Sequence, residues 1–187
     1  MPEPDGTIIA LSLTGGFAVL VSYYFIGMSG VGSKLYGVFE KNEKTVFKTL
    51  SLLSIISFFY LFYWASFYEE WNKEEEWKRN LYIGSVATYL VGACLWSLTS
   101  YSIVKNKLHP AIEVPALLVT AIGTIGVLVS VASVNGDGDL TYSFAMIAAI
   151  LFLFQHTLFD LIYWSYIHSS RRSYHLDAKR SIVSRRR

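Results

Sequence analysis

Five stretches of this chain contain no Asp, Glu, Lys or Arg: residues 6–33, 49–68, 80–104, 114–136 and 140–159. Each is about 20 residues or longer, enough for a helix to cross roughly 30 Å of hydrocarbon. The apolar runs are continuous rather than alternating, so the pattern of a transmembrane β-barrel is missing. Only 16% of the residues are charged, against about 25% in soluble domains, and five bare stretches in one small chain exclude an ordinary soluble globule. The expectation is an all-α integral membrane protein. Its bundle of five transmembrane helices would occupy residues 1–168, with spans at about 7–29, 48–69, 80–104, 113–135 and 140–167, followed by a basic tail at 169–187. The first span, TIIALSLTGGFAVLVSYYFIGMSGVGS, is rich in Gly, Ser and Thr, which helices packed against neighbours tolerate well.

The basic residues predict the orientation. If the N-terminus lies outside, the inside segments are 34–48, 105–112 and 169–187. These hold Lys34, Lys41, Lys44, Lys48, Lys105, Lys107, Arg171, Arg172, Lys179, Arg180, Arg185, Arg186 and Arg187, and only Lys73, Lys78 and Arg79 remain outside. This is the positive-inside asymmetry read over short loops. Glu3, Asp5, Glu69, Glu70, Glu74, Glu75, Glu76, Asp137 and Asp139 gather on the outer side and agree with it. Aromatic residues mark both boundaries. FFYLFYWASFYEEW (58–71) and Trp77 lie at the outer one; Tyr23, Tyr24, Trp96, Tyr101, Tyr163, Trp164 and Tyr166 lie toward the inner one. Rings with an apolar body and a polar tip suit that position. The start MPEPDGT is acidic where a secretory leader would be basic, so the first span is expected to insert as an uncleaved anchor. The single cysteine, Cys94, falls within the third span and reads as a small buried hydrophobe.

Small residues at four-residue steps predict where helices approach closely. The third span carries Gly84, Thr88 and Gly92; the fourth carries Ala116, Thr120 and Thr124, with Gly123 and Gly126 nearby; the first carries Ser12 and Gly16. The short turn VNGDGDL (134–140) makes spans four and five an antiparallel hairpin. Pro110 suits a first helical turn, while Pro115 predicts a late start or a kink. EEWNKEEEWKRN (69–80) is expected to extend one or both flanking helices as a charged cap, and residues 27–45 form the longest loop. FYLFYW (59–64) is echoed by FDLIYW (159–164), on spans that run in opposite directions. Inverted pairing of this kind occurs in transporters.

The polar residues of FLFQHTLFDLIYWSYIH (152–168) raise the functional question. Counted as an α-helix, Asp160 lies roughly 29 Å beyond Thr141, near the inner edge, with His156 one turn deeper. His109 and Glu113 have the same four-residue spacing at the start of span four, so each pair shares a helix face where helical. Three readings follow. His156 could serve packing by bonding Asp160 or a neighbouring backbone, with Asp160 paired to Lys105 or Lys107. The cluster of Glu113, His156, Asp160 and His109 could line a proton or ion pathway, with His156 as the titrating group. Two His and two carboxylates could also bind zinc or iron, but one of each per helix is a sparse pattern, and no resident metal is expected.

No serine-hydrolase elbow, Walker loop, CxxC or HExxH occurs, so no catalytic residue and no cofactor are expected. The basic residues Arg171, Arg172, Lys179, Arg180, Arg185, Arg186 and Arg187 suit an anionic lipid surface, each gaining roughly 1 kcal/mol there. No nucleic-acid fold accompanies them. The expected partners are the bilayer, its anionic lipids, and other membrane subunits or further copies of the chain. The expectation from composition is a non-enzymatic scaffold subunit of a membrane assembly; the alternative is a small oligomeric channel or transporter using the His/carboxylate cluster.

Overall fold

A computed structural model describes residues 5–29, 40–68, 71, 75–105, 110–134, 136 and 139–167. Five long helices account for nearly all of them: α1 (Gly6–Met28), α2 (Lys41–Phe67), α3 (Glu76–Val104), α4 (Glu113–Ala132) and α5 (Leu140–Leu153). The last continues without a break as a π-helix over Phe154–Trp164 and ends in a helical turn at Ile167. All five are long and apolar enough to cross a membrane. No strand occurs among the described residues. His109 and the tail residues Arg171, Arg172, Lys179, Arg180, Arg185, Arg186 and Arg187 lie outside them.

Local chemistry explains the helix ends. The Asp5 carboxylate accepts from the amides of Thr7 (2.9 Å) and Ile8 (3.3 Å), satisfying donors that α1 leaves open. At α2 the Glu40 amide donates to Glu43 (2.7 Å) while the Glu40 side chain accepts from the backbone of Glu43. This reciprocal box starts the helix at Lys41 rather than about 48, so Lys41 and Lys44, expected in a loop, ride on helix. Pro115 falls in the first turn of α4, where its missing N–H costs no hydrogen bond. A 3-10 turn, Pro110–Ile112, leads into it. Of the charged segment, α3 takes in Glu76, Trp77, Lys78 and Arg79, while α2 stops at Phe67.

The helices form a ring in which neighbours run α1, α2, α5, α4, α3 and back to α1. One end collects Asp5, the close of α2, the start of α3, and the α4–α5 turn. There the Asp5 amide donates to the Ser66 carbonyl (3.2 Å), the Arg79 guanidinium meets Asp5 (2.6 Å), and the Tyr60 hydroxyl donates to the Thr141 carbonyl (3.1 Å). The opposite end holds a separate buried cluster of Ile26, Phe47, Trp96, Ala116, Leu117, Trp164 and Ile167. Trp64 and Trp164, from the echoed hexapeptides, are both buried but belong to opposite ends, as antiparallel neighbours require. Cys94 is a half-buried free thiol packed against the main core.

The closest contact joins α3 and α4. A Cβ built on Gly92 would lie 2.6 Å from the Thr120 amide nitrogen, and one on Gly126 would meet the Ser85 side chain. Gly84 behaves differently from the sequence expectation: nothing lies within 4 Å of a Cβ placed there, and Thr88 donates to the Gly84 carbonyl (2.7 Å) of its own helix. The α3 ridge that meets α4 therefore runs through Ser85, Tyr89 and Gly92, one face round from Gly84. Outward positions are strongly apolar: Phe17, Leu20, Leu52, Ile55, Ile56, Phe59, Ile122, Ile147 and Ile150 are all exposed.

Candidate functional site

The π-helical half of α5 carries the polar residues. An α-helix brings residue i beneath i+4; a π-helix brings i+5 into register. Here Asp160 receives both neighbours. His156 Nδ1 lies 2.7 Å from Asp160 Oδ2, and the Gln155 amide donates to Asp160 Oδ1 at 2.8 Å. Both oxygens of the carboxylate are thus held within its own helix. Gln155 is buried, and the His156 and Asp160 side chains are only 12% and 16% exposed, so the pair has little access to solvent of any kind.

The second imidazole nitrogen reaches another helix. His156 Nε2 lies 3.0 Å from the Ser54 hydroxyl, midway along α2. A carboxylate at Nδ1 selects the tautomer that carries its proton there and leaves Nε2 as an acceptor, so Ser54 donates. The ring is also clamped by aromatics: Tyr89 of α3 at 5.0 Å and Phe152 of α5 at 4.9 Å between centroids. The result is a relay, Ser54–His156–Asp160–Gln155, crossing from α2 to α5 and fixed in orientation at each step.

Glu113 is not part of this relay. It is buried at the start of α4 and accepts a short hydrogen bond from Ser100 of α3. Its neighbours one turn on, Ala116 and Leu117, pack with Trp164 and Ile167, whereas Asp160 lies one turn before Trp164. The two carboxylates therefore sit about two helical turns, roughly 10 Å, apart along the bundle. The sequence reading placed them level because it counted Asp160 at the inner edge, where span four begins, while α5 continues past Asp160 to Ile167. Among the described residues no three His, Cys, Asp or Glu side chains converge as a metal site requires.

Two further polar links fasten the ends. The Tyr163 hydroxyl donates to Glu43 (2.8 Å), tying the end of α5 to the start of α2. At the opposite end Asp139 caps α5, accepting from the Thr141 amide (2.7 Å), the Thr141 hydroxyl and the Tyr68 hydroxyl. The Thr141 hydroxyl, then Tyr68, then the Thr141 amide hold the Asp139 carboxyl below the usual carboxylate range.

The sequence paired His156 with Asp160 but missed Ser54, Gln155 and Tyr89 as their partners. For Ser54 a signal exists: Phe47, Ser54, Ser57, Leu61 and Trp64 form a buried seam at helical spacing. For Gln155 none exists, because its offset of five residues leaves the α-helical face. Comparison with protein-family models, with curated proteins and with solved structures finds no match to this chain.

Proposed function

We propose that this chain is an integral membrane protein, N-terminus outside and C-terminus inside, that carries protons through the Ser54–His156–Asp160 relay. One observation supports the reading above the others: an imidazole and a carboxylate 2.7 Å apart lie inside a helical bundle whose outward residues are apolar. Ionisable groups held in such surroundings are costly and are retained where a pathway uses them. Imidazole can accept a proton at one nitrogen and release it at the other. The groups facing it are Asp160 on its own helix, Ser54 from α2 and Tyr89 from α3. The test is purified full-length protein in sealed liposomes containing a pH-sensitive dye. A pH gradient should collapse faster than in empty liposomes, and His156→Gln and Asp160→Asn should abolish the difference. A native protein that leaves the gradient untouched overturns the reading.

A second reading, a subunit of a larger membrane assembly, is favoured by the bare surface around Gly84 and Gly16, where a Cβ would meet nothing within 4 Å. Small residues of this kind admit a neighbouring helix closely. The basic tail, 169–187, would then rest on anionic lipid or an acidic partner. Purification in mild detergent distinguishes the two: larger proteins in fixed ratio to this chain support the subunit, and this chain alone supports the carrier.

A further inference from the structure

Hydroxyls in these helices mostly bond back to their own backbone. Thr14 donates to Ala10, Thr88 to Gly84, Ser97 to Ala93, Thr120 to Ala116 and Ser130 to Gly126. Ser54 instead directs its hydroxyl across to His156 Nε2 at 3.0 Å. The other imidazole nitrogen is 2.7 Å from Asp160, whose free oxygen is pinned by Gln155. Serine to Nε2, Nδ1 to carboxylate, is the connectivity that makes a serine hydroxyl nucleophilic, and it recurs on unrelated folds because geometry rather than sequence defines it.

Two more observations point to a bound molecule at this place. Gln155 Oε1 and Thr157 Oγ1, on either side of His156 in the chain, are buried and have no hydrogen-bond partner. Buried polar atoms are nearly always paired, so Gln155, whose amide holds Asp160, leaves an unsatisfied oxygen at the relay itself. In addition, α2 packs closely along Leu140–Leu153 and less closely along the π-helical half. Leu53, next to Ser54 on α2, and Leu158, two residues beyond His156 on α5, are exposed apolar side chains. A molecule entering there comes from an apolar phase.

We propose that Ser54 is an acyl-accepting nucleophile and that its substrate is a carboxylic ester of a long acyl chain. The Ser54 oxygen bonds to the ester carbonyl carbon as its proton passes to His156 Nε2, and the carbonyl electron pair moves onto oxygen. The tetrahedral adduct collapses, the bond from carbon to the alcohol oxygen breaks, and that oxygen takes the proton from Nε2. Water then repeats the sequence on acyl-Ser54, giving a carboxylic acid and restoring the hydroxyl. Asp160 stays ionised throughout and stabilises the charged imidazole. The net reaction is ester plus water to acid plus alcohol.

This inference uses the same relay as the carrier reading but a different chemistry, so the two can fail separately. The probe is an alkyl fluorophosphonate, incubated with the purified full-length chain in detergent and followed by peptide mass analysis. A single adduct on Ser54 is expected, absent in Ser54→Ala, lowered on the order of tenfold or more in His156→Gln, and prevented by excess long-chain p-nitrophenyl ester, which should itself be cleaved. No adduct on the native chain, an adduct only elsewhere, or equal labelling in a monodisperse His156→Gln variant overturns the proposal. Proton flux that survives Ser54→Ala while labelling is lost upholds the nucleophile and removes Ser54 from the carrier's path. Labelling of a native chain that carries no protons upholds the nucleophile and removes the carrier.

Discussion

Gly123 of α4 approaches Tyr89 of α3 so closely that a Cβ built on it would lie 2.5 Å from the Tyr89 amide nitrogen. Tyr89 in turn packs its ring 5.0 Å from His156, so the α3–α4 contact sets one wall of the polar site. A backbone neighbour cannot swing aside as a side-chain tip can. Gly123→Ala should therefore cost about 1–3 kcal/mol and lower the apparent Tm in detergent. Gly84→Ala should be neutral or slightly stabilising, because its Cβ would meet nothing and alanine favours helix by up to about 1 kcal/mol. Equal losses from both would show that this contact does not govern stability.

Asp160 accepts from two donors, whereas Ser54 donates a single interhelical hydrogen bond. Asp160→Leu strands both the Gln155 amide and His156 Nδ1, at about 1–3 kcal/mol for each buried donor. Ser54→Ala removes one interhelical bond, worth about 0.5–1 kcal/mol inside a membrane. Thermal unfolding of the two variants in one detergent checks the order; a greater loss from Ser54→Ala would contradict it.

Asp5 has a buried carboxylate, and Arg79 neutralises it from a partly exposed position. Arg79→Met leaves that charge with only its helix-capping bonds. A loss of about 1–2 kcal/mol is expected after allowing for screening at Arg79. Asp5→Asn, which keeps a capping oxygen, should cost less. The double variant should lie close to Asp5→Asn alone, measured by the same melts.

For Asp139 the folded carboxyl titrates below its ordinary value of 3.8. A lowered value means that the ionised form favours the fold. Its contribution is present above 3.8 and is lost as pH falls through the lower folded value. Asp139→Asn and the native chain should differ in stability at about pH 6 and converge as pH falls below the lowered folded value. A constant difference across that range would assign the effect to shape rather than charge.

Orientation is tested by single cysteines in a Cys94→Ala background. Glu76 and Lys41 are exposed on opposite ends of the bundle. In intact cells a membrane-impermeant maleimide should modify Glu76→Cys and leave Lys41→Cys untouched until the membrane is opened. The reverse pattern inverts the assignment.

The five helices were legible because removing charge from about 20 successive residues leaves few alternatives to a span-length apolar helix. The early start of α2 was written in Glu40 and Glu43, but glutamate is a less common N-cap than serine or aspartate, and the lysines around it read as loop. His156 and Asp160 could be paired from spacing alone, since one α-turn and this π-helix both bring them together. Ser54 could not be matched to them, because contacts between distant segments depend on which helices become neighbours. Gly84 misled for a related reason: a ridge of small residues shows where a helix can be approached, not which face the fold uses.

The eleven π-wound residues of α5 also have a mechanical consequence. A π-turn holds more residues than an α-turn, so rewinding Phe154–Trp164 to α geometry would twist everything beyond it about the helix axis. Gln155 would swing off Asp160 at one end of the segment. At the other, Trp164 and Tyr163 would turn away from Phe47 and Glu43. The polar centre and the aromatic clasp are thus two ends of one wound segment, and any change in its winding displaces both together.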